Sequence, residues 1–162
     1  MKRFQFRLQR ILDVFIKRVE QARLEISRLL GVRAGVEFRI QNQQLSIRQQ
    51  QSTFAEQLGK GKLLPNDVMV WMHFLDAEFE ELAQLYKELE KVNRELDRAR
   101  EEYRQLDRNK KSLEKLKEKQ FDQFSVEFQR VEQYEMDEIA SRISWNPIQN
   151  RRETWHSESG NS

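Results

Sequence analysis

From Leu8 the apolar residues of this chain advance by alternating steps of four and three: Leu8, Leu12, Phe15, Val19, Ala22, Ile26 and Leu29. The same steps then reach Arg33, Val36, Ile40, Gln43, Ile47, Gln50 and Phe54. A period near 3.5 residues, held over many turns, keeps one narrow stripe on one side of a helix. A strand needs period two, and a helix on a broad core needs a wider apolar face. The pattern therefore predicts a long helix lying against another helix. Polar Arg33, Gln43 and Gln50 in the stripe cost stability but can set register.

The second half repeats the signal with Leu85, Leu89, Val92, Leu96, Ala99, Tyr103 and Leu106, then Lys110 and Leu113. Upstream, Trp71, Leu75, Phe79 and Leu82 form a similar stripe. The steps Phe79–Leu82–Leu85 are both three, a local slip of frame. A second shift falls near Leu113–Lys117, after which Phe121, Phe124, Phe128 and Val131 resume the pattern. Between the halves lies EQLGKGKLLPND, residues 56–67. The whole chain has five glycines and two prolines, and Gly59, Gly61 and Pro65 are gathered here. Glycine can end a helix in the left-handed conformation, proline cannot continue one, and Asn66 or Asp67 can cap the next.

About seven linking residues cannot run the length of a helix near 80 Å, so the chain doubles back. The predicted fold is all-α: a long antiparallel two-helix coiled-coil hairpin over residues 1–143. Its parts are a helix at 4–58, a turn at 59–65 and a longer helix at 66–143. Residues 144–162, with Pro147, Trp145 and Trp155, read as a disordered tail. A turn near residue 62 sets Phe54 beside Val70–Trp71 and Leu8 beside Leu116. The second helix then overhangs by about 30 Å, carrying Phe121, Phe124, Phe128, Val131, Tyr134 and Ile139 with no partner in the chain. Such a stripe is a socket for another protein, a self-association face or a frayed end.

Charge and composition narrow the classes. Charged residues make up 35% of the chain and hydrophobic residues 38%, which suits long helices with a narrow seam rather than a compact globule. Residues 1–58 are net +6 and residues 66–143 net −6, so the halves are expected to face each other. There is no cysteine, hence no disulfide or thiolate metal site. No apolar run reaches the roughly 18–20 residues that cross a bilayer. The start, MKRFQFRLQRILD, is too interrupted by charge for a secretory signal. A soluble cytoplasmic protein is the simplest expectation.

No active site is legible. The histidines are His73 and His156. The carboxylates follow helical ion-pair spacing, as in Glu90–Arg94. GKGK lacks the spacing and preceding strand of a phosphate loop. Gly31 and Gly35 suggest a bend or a close approach of the second helix. Nucleic-acid binding by the basic first helix is disfavoured by the acidic second one. Binding to a membrane surface through Phe4, Phe6, Leu8, Ile11 and their arginines is a comparably minor reading.

Two terminal motifs add specificity. The start, Phe4-x-Phe6-Arg7-Leu8-x-x-Ile11-Leu12, resembles the N-terminus of the FliJ family of the bacterial flagellar type III export apparatus. Met136-Asp137-Glu138-Ile139-Ala140-Ser141-Arg142 is similar to that family's C-terminal signature. The resemblance covers about residues 2–143. It implies a non-enzymatic stalk without cofactors or metal, cytoplasmic and at the cytoplasmic face of the inner membrane, peripheral rather than integral. Its implied partners are the export ATPase hexamer, the membrane export-gate protein and export chaperones, with no nucleic acid.

By resemblance, the open end would enter the ATPase ring through Phe4, Phe6, Leu8, Phe121, Phe124, Phe128, Met136, Asp137, Glu138 and Arg142. The gate contact would lie toward the tip, on Ile47, Phe54, His73 and Phe74. The equivalent stalk of an injectisome secretion system and a self-associating structural tether are the alternatives.

Overall fold

The computed structural model describes residues 3–153, with side chains to residue 144. Two helices account for nearly all of them: α1 (Gln9–Gly59) and α2 (Pro65–Glu153). The fold is the expected all-α one, with the second helix longer. The chain divides into two compact units. The first joins the residues up to Arg10 with those from Ser112 onward, and the second is Ile11–Lys111.

In the second unit the two helices run antiparallel around a thin core. Val36, Ile40 and Leu85 form its buried cluster, with Leu82 and Leu89 packed against it. Leu12, Val19, Leu29, Ile47, Val92 and Leu96 are also buried. Every seam position read from the first helix between Leu12 and Phe54 is buried or half-buried except Gln50, which is exposed. Phe54 stacks flat on Trp71, with centroids 3.8 Å apart and planes at 8°. That is the pairing a turn near residue 62 requires.

The slip of frame at Phe79 does not occur. Phe79 is 45% exposed, and Glu78 takes the half-buried seam position instead. The series Trp71, Leu75, Glu78, Leu82, Leu85 thus keeps its alternation of four and three. A carboxylate is tolerated there because the facing residue is Gln43. Its Nε2 donates to the Glu78 carboxylate at 2.9 Å and to the Glu78 carbonyl at 3.1 Å. Polar groups removed from water need such partners. Gln44 Nε2 donates to the Tyr86 hydroxyl at 2.7 Å, and Arg39 pairs with Glu88 at 2.7 Å. Those contacts join the basic helix to the acidic one. Other ion pairs close within a helix, among them Glu90–Arg94, Asp97–Arg100 and Glu101–Arg104. The Asp107 carboxyl lies below its ordinary range because Lys111 donates to it at 2.7 Å.

The breakers divide their work differently from the expectation. Gly59 is the last helical residue, and Gly61 alone takes a positive φ, 66°. Lys60 N donates to the carbonyls of Glu56 and Gln57, and Gly61 N to that of Leu58. Pro65 is the first residue of α2, where its missing N–H is no loss and its φ is preset. Leu64 takes the cap position: its carbonyl accepts from Val68 N, and its own N–H donates to Asp67 Oδ2 at 3.1 Å. Asp67 therefore caps backwards, as the second half of a capping box, while its charge favours the helix N-terminus.

Three further expectations change. Residues 3–6 are not helical, and α1 starts at Gln9 rather than at residue 4. The helix α2 runs through position 147 to Glu153, beyond the expected end at 143. Proline lacks the N–H of one helical bond and disfavours a helix interior, yet the helical turns continue on both sides of this position. The rest of the predicted tail, residues 154–162, lies outside the described residues. Lastly, Gly31 and Gly35 do not admit the second helix, since a Cβ at either meets nothing within 4 Å.

Alanine substitution should separate these glycines. Gly61→Ala is expected to destabilise by about 1 kcal/mol through its positive φ. Gly31→Ala and Gly35→Ala are each expected to stabilise by about 0.5–1 kcal/mol in an open helix interior. Urea unfolding curves of the three variants check the signs.

Candidate functional site

The first unit is built around aromatic rings. Because residues 3–6 are not helical, each advances the chain about 3.3 Å rather than 1.5 Å. Phe4 thereby reaches α2. Its ring meets Phe121 edge-on, with centroids 5.3 Å apart at 81°, and Phe124 at 5.7 Å and 50°. Phe124 in turn stacks on Phe128 at 6.1 Å and 23°. Phe6 is buried and Leu8 half-buried. A turn bond from Gln9 N to the Phe6 carbonyl, 3.1 Å, leads into α1. Phe121 and Phe124 thus have a partner in their own chain, contrary to the expectation of a wholly unpartnered stripe. The missing information was the reach of a non-helical segment, which a helical register underestimates.

Along α2 in this unit, Leu113, Lys117, Gln120 and Phe124 are half-buried. The expected frame shift is replaced by Lys117 and Gln120 occupying inward positions, much as Glu78 does in the second unit. A groove beside the rings is lined by Phe4, Phe6, Arg7, Arg10 and Lys117 with Gln5 and Gln9. Its charged lining is all cationic, which favours a carboxylate-bearing neighbour.

Beyond Phe128 the character changes. Every residue from Gln129 to Ser144 is exposed. Apolar side chains stand among them: Val131 is 50% exposed, Tyr134 74%, Met136 68%, Ile139 53% and Ile143 67%. Within the 136–142 motif, Arg142 pairs with Glu138 one turn earlier at 2.6 Å, and the Ser141 hydroxyl donates to the Asp137 carbonyl at 2.8 Å. Asp137 and Met136 face solvent. The motif holds its own helix surface in order and leaves its apolar and acidic groups available.

The tip-side candidates lie in the second unit and are unequal. Ile47 is only 4% exposed, so its side chain belongs to the seam and presents nothing to a partner. Phe54 is half-buried under Trp71. His73 is exposed and Phe74 is 43% exposed. The reading by period missed Leu58, Leu64, Met69, Val70 and Met72, all more than half exposed around the turn. The available signal was their displacement from the seam positions.

Among the described residues no cluster of His, Cys, Asp or Glu is placed to hold a metal ion. Among the same residues no helix is long and apolar enough to cross a membrane. A family model described as "Flagellar FliJ protein" matches residues 4–149. No curated protein and no solved structure matches the chain at a significant level.

Removing the Phe4 ring should loosen the first unit without touching the second. Phe4→Ala is expected to cost roughly 1–3 kcal/mol, from two ring contacts and lost burial. Amide exchange around residues 113–124 should quicken, while that of Val36, Ile40 and Leu85 stays as it was.

Proposed function

The chain belongs to the flagellar FliJ family, and from that membership we propose that it is the non-enzymatic stalk of the flagellar type III export apparatus. In this reading the first unit inserts into the export ATPase hexamer. The second presents its tip side to the membrane export-gate protein, and empty export chaperones are handled along the way. The protein works in the cytoplasm, at the inner face of the membrane.

The family match over residues 4–149 carries the reading. The exposed apolar row Val131–Ile143 supports it, because such a row on a single helix lowers its free energy by entering an apolar socket. The acidic Asp137 and the cationic lining of Arg7, Arg10 and Lys117 give that surface a polarity that orients it. A stalk of this kind needs no catalytic group. A helix whose faces differ binds each subunit of a ring differently, and differential binding is what shifts a conformational equilibrium. Hydrolysis in the ring then responds to the stalk. At the tip side, His73 and Phe74 are the exposed residues of the expected gate contact, and Phe54 acts by holding Trp71 in place. An injectisome stalk would use the same physics, and gene neighbourhood separates the two.

The test mixes the full chain with the flagellar export ATPase of the same genome and measures ATP hydrolysis and hexamer formation. The chain is expected to stimulate both. Phe124→Asp and Ile139→Asp should each weaken the effect ten-fold or more, about 1.4 kcal/mol. Ile139 is exposed, so its variant keeps its fold and isolates the contact. Full stimulation by Ile139→Asp would remove this row from the ring. A tight homodimer that ignores the ATPase would favour the tether.

A further inference from the structure

The seam occupies one side of α1, and a second apolar line runs along another. Leu24, Phe38 and Leu45 are 62%, 63% and 53% exposed. Their spacing in multiples of seven puts them on one face. Between Leu24 and Phe38 on that face is Gly31, flanked by exposed Ala34 and Gly35. The open space at both glycines makes a notch beside a bare phenylalanine ring. All these residues belong to the second unit. None serves the seam or the contacts proposed above.

We propose that this face is a homodimer contact, in which α1 packs antiparallel on α1 of a second copy and Phe38 of each chain enters the notch at Gly31 of the other. A second copy is the occupant because the face reads alike in both directions. A two-fold axis at the Ala34–Gly35 bond exchanges Gly31 with Phe38 and Leu24 with Leu45. Large then meets small, and leucine meets leucine, at both ends. That self-complementarity is what an isologous interface demands.

The charges agree. Glu20 lies one turn before Leu24, and Arg48 lies one turn beyond Leu45. Under the same axis Glu20 of one chain is level with Gln49 of the other, with Arg48 one residue away, twice. Glu20 and Arg48 are exposed, and neither pairs with any described residue. Arg28, also at the margin, is already held by Glu25 at 2.7 Å and would face Gln41, so it meets no like charge. Parallel packing would instead set Arg48 against Arg48 and Phe38 against Phe38, with the glycines leaving a void. The contact from Leu24 to Leu45 is about 30 Å long and one helix face wide. An interface of that extent is small, so the dimer is reversible and of micromolar strength.

Sedimentation of the full chain over a micromolar concentration series should show a monomer–dimer equilibrium. Gly31→Leu improves helix propensity, so it keeps the fold, but it fills the notch and should weaken the dimer ten-fold or more. Glu20→Arg and Arg48→Glu should each weaken it, and a mixture of the two variants should recover it as a heterodimer. The chain has no cysteine. Oxidation of mixed Leu24→Cys and Leu45→Cys proteins should therefore give a cross-linked pair that neither gives alone. A monomer at every concentration overturns the proposal. So does a dimer indifferent to Gly31→Leu and abolished by Ile139→Asp, or cross-linking of each cysteine variant with itself.

Discussion

The thin apolar seam of the second unit is the interaction on which its structure depends. In a folded chain most helical stability comes from packing an apolar face rather than from propensity. The face here is one or two side chains wide. Val36 and Leu96 are each 1% exposed, while the residues beside them are mostly in water. Each fully buried side chain contributes roughly 1.5–3 kcal/mol. With so few of them, the stability of this unit is a sum over single seam positions rather than the property of a broad core.

A uniform apolar seam specifies register weakly, since neighbouring heptads resemble one another. The polar layer removes that ambiguity. Gln43 satisfies Glu78 only where both face each other, and a slip by a heptad that set Val36 across from Glu78 would leave a half-buried carboxylate without its donor. Gln44–Tyr86 and Arg39–Glu88 repeat the constraint nearby with exposed partners. Exposed pairs of that kind stabilise little, so their contribution is to alignment. The turn completes the arrangement by backbone chemistry: a left-handed Gly61, Pro65 at the first helical position and Asp67 bonding back to Leu64.

The first unit has a different economy of contacts. Its order rests on Phe4 against Phe121 and Phe124, after which the helix carries apolar side chains with nothing covering them. That contrast leaves this part of the chain with apolar surface that its own fold does not bury. An apolar row left in water by the folded chain retains the driving force that the seam has already used.

The 3.5-residue period in the sequence was enough to determine two helices, their antiparallel return and the facing of Phe54 and Trp71, because periodicity is a property of one helix and chain reversal follows from loop length. The terminal motifs were enough to indicate the family that residues 4–149 match. Which residue fills a seam position was a tertiary decision. Glu78 displaced Phe79 because a donor stood across from it, and hydrogen-bond partners 35 residues apart leave no local pattern. The accessibility of candidates was tertiary as well: Ile47 and His73 sit alike in a list of tip-side residues, yet one is buried and the other exposed. The same holds for Phe4, whose reach to Phe124 depends on a few residues that leave the helix, and for Gly31 and Gly35, whose open face exists only because the partner helix packs on the other side.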